Sequence, residues 1–393
     1  MPSIPWEDAE FARFVNEAVQ KKTDVLKLAE KLAKSPFADL RGQILDYIAL
    51  VPKFRKKFGT EALLACDKLA LEQSTAADIG KFKALLFEKA TSIDDLCCGM
   101  GGDSFFLSKE IPVRGIDLSE ERVAMYRFNT RALGAPREGI LADIRTLEKR
   151  NDFFTVDPAR RAKDGDNQRN FSELTPTFAE VLELSKLYKG GMAKLPPGYP
   201  TEEFPADVEV IYLGAKNDCR ECLVLFGQLA ENPGKTRAIS IDSAGNAHSW
   251  TSEDASSTAK ELPVGELGAY IAEPIPVLVR SHLFAEVALR EAPRARLISA
   301  GIAYATNEAP LDPNAFHNFR ILGSTPISTG KVKKLLKEFD VGKLTLKKRG
   351  VEIVPEAEIK RLAPKGKREA ILFYTRVAGE KTAILAESVI SYF

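Results

Sequence analysis

The stretch "TSIDDLCCGMGGDSFFLSKEIPVRGIDL", residues 91–118, constrains this chain more than any other. A short apolar run ends in two aspartates, and Gly99, Gly101 and Gly102 follow. A second apolar run then ends in Asp117, 18 residues after Gly99. Glycines in such a place allow a tight turn or the close approach of a ligand to the backbone. We expect strands over "SIDDL" and "PVRGIDL", with a helix starting in "GDSFFLSKE" between them. Strands alternating with helices build a parallel sheet covered on both faces.

The alternation continues downstream. "SEERVAMYRFNTRALG" reads as a helix capped by Ser119, with Arg122 where a capping box would want Glu or Gln. "GILAD" and "DFFTVD" read as strands, "TFAEVLELSKLY" as a helix, and "GGMAKL", "DVEVIYL" and "ECLVLF" as the remaining strands. Residues 228–275, rich in Ser, Gly, Asp and Glu, read as an edge hairpin and linker.

Upstream, residues 7–90 carry only helical periodicity. "DVLKLAEKLA" places Val25, Leu26, Leu28, Leu32 and Ala33 near one helix face. "GQILDYIALVPKFRKKFG" is closed by Gly59 and kinked or broken at Pro52. "TEALLACDKLALEQSTAADIGKFKALLFEKA" supplies two more helices, the second capped near Ser74 or Thr75. The expected organisation is α/β: a helical domain at 1–90, a Rossmann-like sheet domain at 91–275 with its core at 91–230, and a small α+β domain at 276–393.

In an open parallel sheet, ligands bind beyond the carboxyl ends of the strands. A glycine turn there suits a dinucleotide, a phosphate or S-adenosylmethionine (SAM). Asp117 can accept ribose hydroxyls and serves NAD and SAM alike. Asp95 separates them, because a carboxylate at the first strand end repels a pyrophosphate and attracts the ammonium and sulfonium of SAM. Ser104 also stands where a dinucleotide fingerprint needs glycine, and no Gly-Lys-Ser/Thr follows for a phosphate loop.

SAM is therefore the expected cofactor, with Asp95, Cys97, Gly99, Gly101, Gly102, Asp103, Asp117 and Asp143 around it. Amides of the turn and of a helix start near Asp103 would take the methionine carboxylate. Asp143, in "LADIRTL", would meet the adenine amine, the alternative being a turn or N-cap aspartate. Cys97 and Cys98 pack beside the turn as small apolar residues. "EQST", Glu72 to Thr75, either caps a helix or closes over the cofactor.

Asp157, in "FFTVDPARR", ends the fourth strand, and Pro158 stiffens the loop after it. A carboxylate there can accept an N–H of the methyl acceptor or take its proton. Asp-Pro alone is a common turn; its register with three other strand ends singles this one out.

These residues resemble the class I SAM-dependent methyltransferases. "DDLCCGMGGD" is similar to the glycine motif of RNA-cap trimethylguanosine-synthase-type enzymes. "DPARR", the helical prefix and the C-terminal "GKLTLKKRGVEI" and "KREAILFYTRVAGEKTAIL" resemble a prokaryotic methyltransferase family with a THUMP-like C-terminal domain. The likeness spans roughly residues 90–230 and 320–393. It implies SAM as methyl donor and RNA as substrate. It also implies the aspartates and glycines above as cofactor contacts, and Asp157 and Pro158 as the acceptor motif.

One departure stands out. Base amino-methyltransferases usually follow Asp/Asn-Pro-Pro with an aromatic residue that stacks on the base, and here Ala159 and Arg160 follow. Arg160 or Arg161 can stack on a base or grip a phosphate, and Phe171 can supply a ring. An exocyclic guanine or adenine amine is the leading acceptor. Asp-Pro-x-Arg also occurs in uracil-C5 methyltransferases, but Cys219 and Cys222 lie in no nucleophile motif of that kind. A non-catalytic RNA-binding adaptor and a methyltransferase for a protein or small molecule stay open. The strand-end aspartates favour an enzyme, and the charge of the C-terminal region favours RNA.

That charge is local. The chain carries 56 Lys/Arg against 55 Asp/Glu, yet Arg320 to Arg376 holds 15 basic residues against 6 acidic ones. Such an excess suits a polyanion, the alternative being a solvated lysine-rich face. Five cysteines and no apolar leader point to a reducing, cytoplasmic setting. No run approaches the ~18 apolar residues of a membrane span. With three histidines and a lone Cys219-x-x-Cys222, no metal is expected.

Overall fold

Helical periodicity before residue 90 becomes α-helix in the computed structural model. It describes residues 4–148, 150–160 (Arg160 by its backbone alone), 174–215, 217–253 and 261–389. The helices are α1 (Ala9–Gln20), α2 (Val25–Ala33), α3 (Arg41–Phe58), α4 (Lys68–Gln73) and α5 (Ala77–Leu86). Asp8, Asp24 and Asp67 cap α1, α2 and α4 by accepting first-turn N–H groups. Gly59 closes α3 in the left-handed region at φ +65°, and Pro52 sits within an unbroken helix.

Two helical expectations need correction. α2 packs through Leu28 and Leu32, while Val25, Leu26 and Ala33 stand in solvent. α5 is preceded by Ala76, and no side chain caps it. Ser74 Oγ instead donates to the Leu71 carbonyl at 2.9 Å, and the Thr75 hydroxyl is turned toward Lys83 and Glu221.

Then come β1 (Ile93–Leu96), β2 (Val113–Asp117), α6 (Glu120–Ala132), β3 (Glu138–Leu141) and β4 (Phe153–Val156). β5 (Ala159–Arg160), β6 (Leu174–Thr175), α7 (Phe178–Ser185), β7 (Gly190–Leu195), β8 (Glu209–Ala215) and β9 (Asp218–Gly227) follow. The parallel order is β3-β2-β1-β4-β7, and residues Cys222–Gly227 of β9 run antiparallel to β7. β1 and β4 are buried along their whole length, as central strands covered on both faces must be. The order reverses direction between β1 and β4, which makes the gap beyond their carboxyl ends the natural ligand crevice of this Rossmann-like sheet.

No helix follows the glycine turn. Phe105 N donates to the Gly101 carbonyl at 3.0 Å, and residues 102–106 form only turns. The cause is tertiary. Phe105 meets Phe58 edge-on at 5.3 Å, and Phe105 and Phe106 pack with Phe54, Met100 and Met125 into a core shared with the prefix helices.

The chain divides into two compact units, one reaching to Val210 and including Glu221–Pro233, the other comprising Ile211–Arg220 and Gly234 onward. The helical prefix falls in the same compact unit as the parallel strands. The second unit holds the antiparallel pair β10 (Thr236–Ile241) and β11 (Ala247–Thr251). It continues with β12 (Tyr270–Pro274), α8 (Pro276–Arg280), α9 (Phe284–Glu291), β13 (Arg296–Leu297), β14 (Ala305–Asn307) and β15 (Phe316–Pro326). α10 (Thr329–Glu338), β16 (Val341–Lys348), α11 (Pro355–Leu362), β17 (Arg368–Val377) and β18 (Glu380–Ser388) complete it. Its sheet has the order β13-β14-β12-β15-β18-β17-β16. β12 pairs with both β14 and β15, so this α+β domain begins before residue 276, where its start was expected.

Candidate active site

Beyond β1 the backbone turns through three left-handed residues, Cys97 (φ +59°), Gly99 (+53°) and Gly101 (+99°). Asp117, at the end of β2, holds this turn. Its Oδ2 accepts from Gly99 N at 3.0 Å and its Oδ1 from Ser119 N at 2.9 Å. Gly102 is required by close approach, because a Cβ there would lie 2.9 Å from Ser74 Cβ and 3.1 Å from Thr75 N. Ser74 and Thr75, the second half of "EQST", therefore lie directly on the turn. A Cβ on Gly99 would meet nothing within 4 Å, which leaves open space on the ligand side. Among the described residues, the amides of Gly102 and Asp103 meet no acceptor. Open space beside Gly99, free amides and a carboxylate at the next strand end fit an adenosyl amino acid.

Asp95 is placed differently from expectation. It is buried, and its Oδ2 accepts from Ser104 Oγ at 2.5 Å, which stands 3.1 Å from the Tyr126 hydroxyl. Burial, with Asp103 nearby, pushes its carboxyl up to about 7. Asp95 thus braces the turn from beneath rather than offering an open charge to a cation. Asp143 takes the turn role named above as its alternative. It caps Ile144–Thr146, and Arg145 Nε and Nη2 engage both its oxygens at 2.6–3.0 Å. Hydrogen bonds from Arg145 hold its carboxyl below the usual range. Beside these aspartates Leu118 and Leu141 are exposed, at 62% and 54%, and were missed in the sequence. Leu118 directly follows Asp117 and Leu141 stands two residues before Asp143, which is the signal that would have found them.

The four strand-end aspartates converge on Cys97. Burial first, and then Asp117, Asp157, Asp95 and Asp143, push its thiol up. Cys98 is buried, as its packing role requires. Asp157 follows β4 and accepts from Lys194 Nζ at 2.6 Å through Oδ2. Its side chain is still 38% exposed, and among the described residues no hydrogen bond reaches Oδ1. Its desolvated setting raises the carboxyl, and Lys194 opposes that rise. After Pro158, β5 pairs antiparallel with β6, Ala159 with Thr175 and Arg160 with Leu174. Arg161 and Phe171 lie outside the described residues, as does the Arg160 side chain.

The largest feature missed in the sequence is a buried chain of alternating charge. Lys194 Nζ lies 3.7 Å from Glu221 Oε1, Glu221 Oε2 lies 3.1 Å from Lys83 Nζ, and Lys83 donates to Asp103 Oδ1 at 2.7 Å. Lys83 (α5) and Glu221 (β9) are both buried. Burial disfavours the charge on Asp103, but Lys83 and Lys194 outweigh it and hold the carboxyl down at about 2. Burial likewise works against the ammonium of Lys194, and Asp157, Glu221 and Asp103 overcome it and raise its pKa. The available signal was a lysine inside the apolar "GGMAKL" and a glutamate opening "ECLVLF".

Among the described residues, no group of three His, Cys, Asp or Glu is placed to hold a metal, and no helix is long and apolar enough to cross a membrane.

Residues 317–388 match the family model described as THUMP domain-like. Two Mycobacterium tuberculosis proteins, from strains CDC 1551 / Oshkosh and ATCC 25618 / H37Rv, are each 27% identical over 327 residues. The alignment covers 81% of this chain and 86% of theirs, and each is named an uncharacterized S-adenosylmethionine-dependent methyltransferase. The crystal structure of a proposed methyltransferase from Porphyromonas gingivalis W83 shares the fold at TM-score 0.80 and 21% identity, covering 99% of this chain and 100% of that one.

Proposed function

We propose that this S-adenosylmethionine-dependent methyltransferase, which ends in a THUMP-like domain, transfers methyl to a base nitrogen of RNA, an exocyclic amine above others. SAM supplies an electrophilic methyl on its sulfonium and leaves as a neutral thioether. The residues of the turn from Cys97 to Asp103 would form the floor of its site, and the amides of Gly102 and Asp103 would hold the methionine carboxylate. The remaining lone pairs of Asp117 take the ribose hydroxyls. The exposed Leu118 and Leu141 would cover the adenine, and Asp143 would meet its amine only by giving up its bonds to Arg145. Asp157 Oδ1 accepts the N–H of the acceptor and draws its nitrogen into line.

The RNA half of the reading is carried by α10. Lys331, Lys333, Lys334 and Lys337 are exposed on this helix, while Val332 and Leu336 anchor its underside. Several other basic residues of the domain are paired, among them Lys343 with Glu369 and Arg320 with Glu387, while Lys360, Lys365 and Lys367 are exposed as the α10 lysines are. Among the described residues the α10 lysines make no ion pair, so their charge is available to phosphates. The helix lies inside the THUMP-like match.

The test is to incubate the protein with methyl-labelled SAM and unmodified RNA pools, with Asp157→Ala as control. Nuclease-sensitive label that disappears in the variant supports the proposal and yields the modified nucleoside. SAM binding without label in RNA would sink RNA as acceptor and turn the search to proteins and small molecules.

A further inference from the structure

The acceptor motif alone does not hold Asp157 in place. The register β4–β7 pairs Val156 with Ala193, so Asp157, the first residue beyond β4, and Lys194, still within β7, come side by side. Lys194 Nζ then bridges Asp157 Oδ2 at 2.6 Å and Glu221 Oε1 at 3.7 Å. Glu221 is itself fixed by Lys83 at 3.1 Å, and Lys83 by Asp103 at 2.7 Å. A lysine usually keeps its flexible stem in water, but this one is only 16% exposed and has an anion on either side.

We propose that Lys194 is a positioning residue for methyl transfer: gripped between Asp157 and Glu221, it fixes Asp157 Oδ2 and leaves Oδ1 as the oxygen that meets the acceptor N–H. The assignment rests on the methyltransferase reading above. In the transfer the N–C bond forms as the methyl–sulfur bond breaks, sulfur keeps that electron pair, and the amine proton passes to Asp157 Oδ1 and on to water. A carboxylate bound through one oxygen presents its other at a fixed angle, and the prefix sustains that angle through Lys83. This explains how the chain orients an acceptor without the aromatic platform absent after Pro158.

The charged and titratable groups facing Asp157 are Lys194 from β7, Asp103 and Cys97 from the turn and Lys83 from α5, while Glu221 from β9 meets Lys194 on its other side. Without Lys194, Asp157 faces the Asp103 carboxylate with Lys83 alone opposing it.

The full-length protein and its Lys194→Met, Lys194→Arg and Asp157→Asn variants would be titrated calorimetrically with S-adenosylhomocysteine and with sinefungin, an analogue bearing an amine at the transfer position. Lys194→Met should raise the preference for sinefungin about tenfold, as one unit of altered protonation energy implies. Lys194→Arg should keep the wild-type ratio, and Asp157→Asn should lower it. On RNA, Lys194→Met should cut kcat at least about tenfold and move the acid limb of the pH profile up by about one unit, with KM for SAM little changed. A folded Lys194→Met protein with an unchanged ratio and an unshifted limb would overturn the assignment and leave a structural ion pair. Wild-type protein that binds neither analogue would overturn the methyltransferase reading and this assignment with it. Wild-type protein that binds both without labelling RNA would sink the RNA acceptor alone, and the ratio would still decide the role of Lys194.

Discussion

In the unit that carries the glycine turn, Lys83, Lys194, Asp103, Asp157 and Glu221 alternate in sign within a few ångströms and largely out of water. In the C-terminal unit, Lys331, Lys333, Lys334 and Lys337 stand in solvent along one helix. The physics of the two arrangements differs. Buried charges survive only when paired, and their attraction is local and little affected by salt. Exposed charges cost little to keep, act over about a Debye length of ~8–10 Å, and weaken as salt rises. The first arrangement can orient a reacting group. The second can gather a polyanion. Ionic strength should therefore separate chemistry from capture.

The strongest way to break this contrast is Asp157→Asn. It should lower kcat by about 10²–10⁴-fold while SAM binding persists, equally at low and high salt, in a single-turnover assay. A loss that tracks ionic strength would mean that Asp157 serves RNA capture instead.

Next is Lys83→Met, which strands Asp103 and leaves Glu221 with Lys194 as its cation. Removing one partner of a buried pair costs about 3–5 kcal/mol, whereas Lys331→Met on the surface should cost under about 0.5 kcal/mol. Equal shifts of the two in chemical denaturation would erase the distinction. A smaller effect is expected from replacing the four α10 lysines by glutamine. RNA affinity should drop roughly tenfold at low salt, and the log K against log salt slope should flatten by up to about 3. Turnover at saturating RNA should hold.

A pH-linked effect concerns Asp95, which faces Asp103, Lys83, Arg137 and the Ser104 hydroxyl. Its carboxyl is pushed up to about 7 in the fold, above its unfolded value. The native state therefore binds the proton more tightly between pH ~4 and ~7, and stability falls as pH rises across that window. Asp95→Asn should gain on wild type in thermal unfolding from pH 5 to 8. A pH-independent difference would refute this.

Much of the first unit was legible because strand ends write themselves as apolar runs closed by aspartate. Asp95, Asp117, Asp143 and Asp157 all lie at or just beyond parallel strand ends, and Ser119 caps α6 as expected, accepting from Arg122 N at 3.3 Å. What stayed hidden depends on distant partners. "GDSFFLSKE" has helical character, but Phe105 and Phe106 are drawn into the prefix core. Lysine reads locally as surface, and only the fold brings Lys83 to Asp103 across 20 residues and Asp157 to Lys194 across 37. Asp143 was legible as a strand-end aspartate with a turn or N-cap role as its alternative, but its grip on Arg145 two residues on was not.

The seam between Gly102 and the Ser74–Thr75 backbone has a hereditary consequence. A methyl group at position 102 would press on Ser74 Cβ at 2.9 Å, so an alanine there is tolerable only if the prefix moves away. A descendant that shed its first ninety residues would also strand the partners of Lys83. The prefix and the turn thus travel as one allele in effect, and recombination that splits them should yield chains that neither fold well nor hold their cofactor.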